Sequence, residues 1–507
     1  MISKLFDKRH KGKQLFFDIS ALPAGLLLAY AFAPYDHFWL AFPLLAWLFL
    51  ICVYASPGRA FRRGWLFGFG WFVHGVHWIY YSLHYHGGTP DILAGIIVAL
   101  LAAYLALFPA LALYAAQKFF SVSARYKLIV IMPALWLMSE WLRGYFLTGF
   151  PWLQSGYSQL DAPLAGYAPL IGALGVSGLL ALSAGLLASL ASRWKDLRVI
   201  AALLVIWLAG YGLQQVHWTQ PLGDSIKVSL VQGNIPQSEK WKRAMHRPTL
   251  EMYQRLTAQL WESQLVIWPE TAIPDFRHRV PFYLDRLKKD MEFNKRDLLL
   301  GIFIRDHDSS RYYNSVVSIR DGVYLKRHLV PLGEYFPLRG LLDFFRRWID
   351  IPMSDVDAGP RRQPLITAAG QPLGVSICFE DAFDRDVLLD LPEASMLVNL
   401  SNDAWFEDSI EPWQHHQIAR MRALETGRYM LRATNTGVSA VIDPMGRVQA
   451  IAPQFQQYVL KTSVQPYTGS TPYVIWHNYL TVGLLSLLLI GIRIRSGGPQ
   501  MNANTRK

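Results

Sequence analysis

The sequence lacks the features of a disulfide-stabilised, nucleotide-binding or zinc protein. It has two cysteines in 507 residues, Cys52 and Cys378, so no disulfide framework is expected. No G-x-S-x-G turn, P-loop or dinucleotide-binding glycine pattern occurs. His415 and His416 are adjacent, so they lie on different faces of a helix and do not form a zinc pair. We therefore expect no metal and no cofactor.

Charge is scarce as well, and its distribution is uneven. Only 17% of the residues are charged, whereas 52% are hydrophobic. Compared with an average soluble globular protein, this composition is shifted toward that of membrane proteins. Residues 215–470 hold 30 basic and 30 acidic side chains, so the remaining 19 basic and 7 acidic ones account for the whole net charge of +12. Because the excess belongs to the apolar parts of the chain, it indicates membrane topology and not a nucleic-acid surface.

Long apolar stretches dominate residues 1–214 and return near the carboxyl end. Each is close to the roughly 20 residues that cross a bilayer as a helix. The sequence therefore predicts an integral membrane α-helical domain of eight transmembrane helices, seven in residues 1–214 and one in residues 471–507. The expected spans are 15–33, 38–55, 65–83, 92–116, 128–142, 168–191, 199–214 and 479–492.

Basic residues alternate between the connections of these spans. Both terminal tails and every second connection carry 18 of the 19 basic residues, and the opposite short loops carry only Arg143. The positive-inside rule then places both termini in the cytoplasm and residues 215–470 on the outer side of the inner membrane, in the periplasm of a Gram-negative cell. Buried core helices of a soluble protein would not explain this alternation.

The sequence pattern of residues 215–470 predicts one α/β domain whose sheet is covered by helices. Helical patterns occupy 247–263 and 411–428. Short β-branched runs, typical of strands, occur at 226–232, 264–269, 297–303, 314–319, 372–379, 395–401 and 437–443.

Three polar residues stand at or just after such runs: Glu270, Lys326 and Cys378. A carboxylate can take the proton of a thiol, and an ammonium group can favour the thiolate and stabilise an oxyanion. The three form a complete set for a thioester route if they meet. Residue types alone leave the alternatives open, because a buried cysteine and a solvated glutamate at a strand end are common.

The motifs around these residues resemble the carbon–nitrogen hydrolase (nitrilase) superfamily. "WPE", "KRHLVPLGE" and "CFE" follow in that order. Lys326 is 56 positions after Glu270, and Cys378 is 52 positions after Lys326. Together with the membrane spans, the chain resembles the apolipoprotein N-acyltransferase family over nearly its full length. Further segments that look like that family are "VQGNIPQSEKW", "GFPWLQSGYSQ", "YYNSVV" and "NLSNDAWF".

The resemblance implies a nitrilase-like αββα sandwich joined to the membrane domain. It implies Glu270 as general base, Lys326 as oxyanion stabiliser and Cys378 as nucleophile. Phe379 stands where some relatives carry tyrosine; its backbone N–H would serve the oxyanion, so the side-chain difference should matter little. Supporting or substrate-contacting positions are Glu334, Glu380, Trp241, Phe379 and Asn314.

The implied reaction has two steps. Cys378 takes an acyl chain from a phospholipid, and the thioester passes it to the α-amino group of a diacylglyceryl-modified N-terminal cysteine of an apolipoprotein. An amphipathic segment after Lys326, residues 335–353, is expected to lie at the headgroup layer as a lipid gate. The candidate gate residues are Phe150, Trp152, Tyr335, Phe336, Phe344 and Phe345. Two alternatives stay open: Phe150 and Trp152 as ordinary aromatic residues of the membrane interface, and residues 335–353 as an ordinary helix packed on the domain.

Two other functions stay open at this point. A membrane-anchored nitrilase-type amidase would use water in place of the amine. A transporter or scaffold would only bind through its periplasmic domain, which the Glu–Lys–Cys set argues against.

Overall fold

The first part of the chain is helical in the computed structural model, which describes residues 11–306, 309–331, 333–335 and 355–497. A break at Gly172, with φ of 67°, interrupts the helix Ala168–Leu190 near its start. The helices are α1 Lys11–Leu28, α2 Ala41–Val53, α3 Pro57–Gly75, α4 Asp91–Leu105, α5 Leu107–Phe119, α6 Met132–Arg143, α7 Ala168–Leu190 and α8 Leu197–Leu213.

The following part contains two large sheets. One has the strand order β14-β2-β3-β5-β6-β7, with β4 beside β5, and the other has the order β13-β12-β11-β10-β9-β8. The short β1 and β15 pair with each other. The strands are β1 Gln220–Pro221, β2 Ile226–Gln232, β3 Leu265–Ile267, β4 Ile273–Phe276, β5 Asp297–Arg305, β6 Tyr312–Ser318, β7 Val323–Leu325, β8 Ile366–Ala368, β9 Gln371–Ile377, β10 Met396–Ser401, β11 Met430–Thr434, β12 Ala440–Ile442, β13 Val448–Ile451, β14 Tyr458–Val464 and β15 Tyr467–Thr468.

The two sheets pack face to face, with helices on both outer faces. Successive side chains of a strand point to opposite faces, so Leu230 and Leu299 join one core with Val375 and Val398 of the second sheet. On the outer faces, α9 Arg243–Ala258 and α10 Pro281–Phe293 cover the first sheet, and α11 Glu411–Thr426 covers the second. The αββα sandwich implied by the resemblance is confirmed.

A helical segment lies at each predicted span, including α12 Tyr479–Gly497 at the last. Three segments of the described chain are long and apolar enough to cross a membrane: Gly12–Ala31, Asp91–Phe119 and Pro163–Leu190. Phe38–Val53 and Leu197–Leu213 are apolar but shorter. Instead of covering 65–83, α3 begins at Pro57 and ends at Gly75, so it includes three arginines that lower its hydropathy. The count of eight spans is thus not established by helix length and composition.

Helices α1 and α3 approach each other closely through glycine. A Cβ on Gly25 would lie 1.9 Å from the backbone oxygen of Phe67, and one on Gly70 would lie 2.4 Å from that of Leu22. Small residues allow such backbone contact between apolar helices. Near one end of this contact, the buried Arg63 pairs through Nε with Asp18 Oδ1 at 2.7 Å.

We expect Gly25→Ala to lower the thermal midpoint of the protein in detergent. The added methyl group meets backbone that cannot rotate away, and overpacking of this kind costs about 1–3 kcal/mol. The matched control is Gly95→Ala in α4, because a Cβ there has nothing within 4 Å. Equal midpoints for the two variants, measured by thermal unfolding, would contradict close α1–α3 packing.

Candidate active site

The structure brings Glu270, Lys326 and Cys378 to one cavity. Glu270 follows β3, Lys326 follows β7 directly, and Cys378 follows β9 directly. Since β3 and β7 belong to one sheet and β9 to the other, the packing of the sheets brings these ends together. The three residues line a cavity with about 740 Å³ of empty space, including its open mouth.

Glu270 is held in a tight turn over β5. A Cβ on Gly301 of β5 would lie 2.3 Å from the Thr271 nitrogen, so only glycine lets the turn approach this closely. Thr271 itself has φ of 46°, a strained conformation of the type found at functional sites. Asn314 donates from Nδ2 to Glu270 Oε1 at 2.7 Å, which aims the carboxylate into the cavity.

Lys326 is a buried cation between two carboxylates. Its Nζ donates to Glu334 Oε1 at 2.8 Å and lies 3.7 Å from Glu270 Oε1. Burial lowers the pKa of the ammonium group, but Glu334 and Glu270 raise it more, so the pKa lies above its ordinary value. Lys326 therefore remains a positive charge at the place where an oxyanion would develop.

Cys378 begins a short 3-10 helix, Cys378–Ala382, and has a positive φ. Its φ is 53°, and Asn399 donates from Nδ2 to its carbonyl oxygen at 3.1 Å. Burial and the neighbouring Glu270 raise the pKa of the thiol to about 12, against the lowering by Lys326 and His415. The resting group is a neutral thiol, so attack on a substrate requires a base in the same step.

Glu380 connects the lysine segment to the nucleophile segment. Its Oε1 accepts the N–H groups of Arg327 at 2.6 Å and His328 at 2.9 Å. Its Oε2 accepts the N–H of Ile377 at 2.7 Å and the hydroxyl of Tyr324 at 2.9 Å. Burial raises the pKa of this carboxyl group to about 7. Since all these neighbours donate to it, Glu380 supports the site and is not placed to act as its base.

The other supporting positions lie around the cavity. Asn314, Glu334 and Trp241 line it. The indole N–H of Trp241 is buried with no hydrogen-bond partner among the described residues, so it is available to a bound substrate. Phe379 points away from the cavity lining and packs against Trp152, with ring centroids 5.9 Å apart.

The gate candidates divide into three groups. Phe150 and the buried Trp152 pack on Phe379, behind the nucleophile, and Arg143 donates from Nη1 to both of their carbonyl oxygens. Tyr335 is half-buried and forms an isolated bridge with Pro331. Phe336, Phe344 and Phe345 lie outside the described residues.

Sequence reasoning missed Lys240, which stands next to Trp241 in "QSEKW". Lys240 is buried, and its Nζ donates to the backbone oxygen of Glu270 at 3.1 Å. Burial lowers the pKa of this amine to about 8, although Glu270 and Cys378 raise it. Only the fold discloses this contact, since a lysine between a glutamate and a tryptophan is typical of a solvated helix end.

The helical part of the chain also contributes to the cavity. Ser82 is part of the cavity wall, opposite Trp405 and Phe406 from the segment after β10. The rings of Trp78 and Phe406 are 4.8 Å apart, and His86 pairs with Glu407 at 2.8 Å. The cavity therefore opens where the helical part and the sandwich meet.

Comparison with known families agrees with this arrangement. The apolipoprotein N-acyltransferase N-terminal domain matches residues 24–186, and the carbon-nitrogen hydrolase domain matches residues 227–473. Two relatives, each named apolipoprotein N-acyltransferase, match over most of their length. The protein of Methylococcus capsulatus is 46% identical over 92% of this chain and 93% of its own. That of Nitrosomonas europaea is 44% identical over 93% of this chain and 96% of its own.

The first domain match covers most of the helical part of the chain, and the second covers the sandwich; residues of both line the cavity. The relatives match this chain across both parts. At this identity and coverage, the chain belongs to the apolipoprotein N-acyltransferase family.

Proposed function

We propose that this protein moves an acyl chain from a phospholipid to the α-amino group of the N-terminal S-diacylglyceryl-cysteine of an apolipoprotein, through a thioester on Cys378. The observation that carries the proposal is the meeting of Glu270, Lys326 and Cys378 in one cavity at the border of the membrane part. Family membership supports the same reaction.

In the first half-reaction, Glu270 takes the Cys378 proton while the sulfur attacks the ester carbonyl carbon. The Lys326 ammonium and the Phe379 backbone N–H would stabilise the tetrahedral oxyanion. When the carbon–oxygen bond breaks, the proton on Glu270 passes to the leaving oxygen and a lysophospholipid departs. The acyl chain is then held as a thioester.

In the second half-reaction, the neutral α-amine attacks the thioester carbonyl. Glu270 accepts a proton from the amine, and the departing sulfur regains a proton. Because the base is deprotonated again after each half-reaction, one carboxylate serves both. Trp241 Nε1 and Asn314 Oδ1 have no hydrogen-bond partner in the described part of the chain. Both side chains are therefore suited to orient the substrate.

We further propose a membrane domain of residues 1–214 with seven spans, a periplasmic catalytic domain of residues 215–470 and a final span in residues 471–507. This places eight spans in the bacterial inner membrane, with both termini in the cytoplasm. The alternation of basic residues and the helices at the predicted places support it. The half-exposed apolar side chains of α8 and α12 are suited to lipid contact.

The proposal is tested first by mass spectrometry of the purified protein after incubation with phospholipid alone. We expect one acyl group on Cys378 that disappears when a diacylated lipopeptide is added, with N-acylated lipopeptide as product. Cys52→Ala is the control and should keep the adduct, whereas Cys378→Ala should lose it. Free fatty acid in place of N-acylated lipopeptide would favour the amidase, and an adduct that survives in Cys378→Ala would refute the mechanism.

Glu270→Gln separates the role of base from a general electrostatic role. Acylation by phospholipid should slow by about 10²- to 10⁴-fold, because that is the usual contribution of a general base. The intrinsic pKa of the Cys378 thiol should fall, because Glu270 raises it. Iodoacetamide alkylation at a given pH, measured in a Cys52→Ala background, should therefore become faster while acylation becomes slower. Glu262→Gln, at an exposed position, is the control. A parallel decrease in both rates would contradict the assignment of Glu270 as base.

Orientation is tested with single cysteines in a Cys52→Ser, Cys378→Ser background. Ser56→Cys lies in the exposed connection before α3, and Gln457→Cys lies in an exposed turn before β14. In intact spheroplasts, a membrane-impermeant maleimide should label the second position and not the first. The reverse pattern, with both labelled after lysis, would overturn the proposed topology.

A further inference from the structure

A buried histidine lies directly beneath the nucleophile turn. His415 of α11 has Nε2 3.1 Å from the carbonyl oxygen of Cys378 and 2.8 Å from Asp381 Oδ1. Its Nδ1 is 3.4 Å from Asp403 Oδ1 and 3.4 Å from Glu411 Oε1. His415 does not line the substrate cavity, and its side chain is about 1% exposed.

The nucleophile turn needs such support. A non-glycine residue with positive φ, as Cys378 has, costs about 1–3 kcal/mol and persists only where the surroundings determine it. Its carbonyl oxygen accepts from Asn399 and faces His415. Asn399 is in turn fixed by Arg432, whose Nη1 donates to its Oδ1 at 2.7 Å. The carbonyl is thus held from two sides by residues of β10 and α11.

We propose that His415 is a positioning residue for the nucleophile, donating from Nε2 to the Cys378 carbonyl oxygen and the Asp381 carboxylate, and so fixing the turn that presents the thiol. This inference rests on the proposed role of Cys378. His415 acts through the backbone of Cys378 and is not expected to touch the substrate.

The surroundings of both ring nitrogens favour a charged imidazolium. Among the described residues, Nε2 lies within hydrogen-bond distance of the Cys378 carbonyl oxygen and of Asp381 Oδ1, both acceptors, so this nitrogen carries hydrogen. Nδ1 makes no hydrogen bond there, but the nearby carboxylate oxygens of Asp403 and Glu411, each at 3.4 Å, favour a positive charge on the ring. Burial and Arg432 lower the pKa of His415, but Asp381 and Asp403 raise it by a larger amount. The pKa of His415 therefore lies well above its ordinary value. The imidazolium in turn lowers the pKa of the Cys378 thiol.

The charges of this cluster balance. Arg432 contacts Asp403 at 2.9 Å and Asp381 at 3.6 Å, so two cations, Arg432 and His415, face two carboxylates. Burial and Asp403 raise the pKa of the remaining acid, Glu411, to about 7, which lets it hold a proton.

Oxygen and nitrogen atoms of Asp403, Glu411 and His415 also lie within 4.8 Å of one another, a spacing compatible with a metal ion. The Arg432 guanidinium against Asp403 opposes a further cation there.

The experiment compares His415→Ala and His415→Gln in a Cys52→Ala background. His415→Ala should slow acylation by phospholipid by about 10²-fold, the loss expected from a small misplacement of a reacting group, with the KM for phospholipid unchanged. His415→Gln keeps a buried donor and should recover part of the rate. Both variants should alkylate more slowly with iodoacetamide at a given pH, because loss of the positive charge raises the thiol pKa. Alkylation requires no lipid, so its rate reports on the effect of His415 on the Cys378 thiol even if the proposed acyl donor is wrong.

His416→Gln is the matched control, since His416 is a neighbouring buried histidine whose pKa lies well below its ordinary value through burial. It should change neither rate. Unchanged acylation and alkylation in His415→Gln and His415→Ala would overturn the proposal, and so would a stoichiometric divalent metal in the purified protein that is lost in His415→Gln. If His415→Ala does not fold, the alkylation rate of His415→Gln decides.

Discussion

The site depends on the ion pairs that the buried ammonium group of Lys326 forms with two carboxylates. A cation removed from water is stable only with close opposite charge, and Glu334 and Glu270 supply it from two other segments. A second ammonium, Lys240, lies against the Glu270 backbone. Two carboxylates and two amines thus surround a neutral thiol. When a proton moves from Cys378 to Glu270, the negative charge changes position but not amount, so the field of Lys326 acts on it before and after.

Much of this architecture was predictable because local patterns determine it. The seven expected strands and the helices at 247–263 and 411–428 all occur, with ends shifted by a few residues. Strand β11 was missed because Arg432 interrupts its apolar run, and only the fold discloses that this arginine is buried against Asp403. Glu270, Lys326 and Cys378 were recognisable from their motifs. Lys240 and His415 were not, because their contacts join segments that are distant in sequence.

The nucleophile turn also links the sandwich to the helical part. Trp152, which follows α6, stacks on Phe379 and lies tilted against His415, with the latter ring centroids 5.4 Å apart, and its indole N–H donates to Gln414 at 2.7 Å. Trp78 donates to the same Gln414 oxygen at 3.0 Å. Phe379 and His415, which lie next to Cys378, therefore pack against an aromatic side chain from the helical part of the chain.

A thiol that is neutral at rest has a consequence for two successive acyl transfers. A preformed thiolate would be a good leaving group but a permanent nucleophile, open to oxidation between turnovers. Here the pKa of Cys378 lies near 12, so in the proposed mechanism the reactive form would arise only when Glu270 takes the proton during attack. The same high pKa makes the sulfur a poorer leaving group in the second step. In the proposed mechanism Lys326 would offset this, because its positive charge would stabilise the departing thiolate as well as the oxyanion, so the buried ion pair would serve both half-reactions.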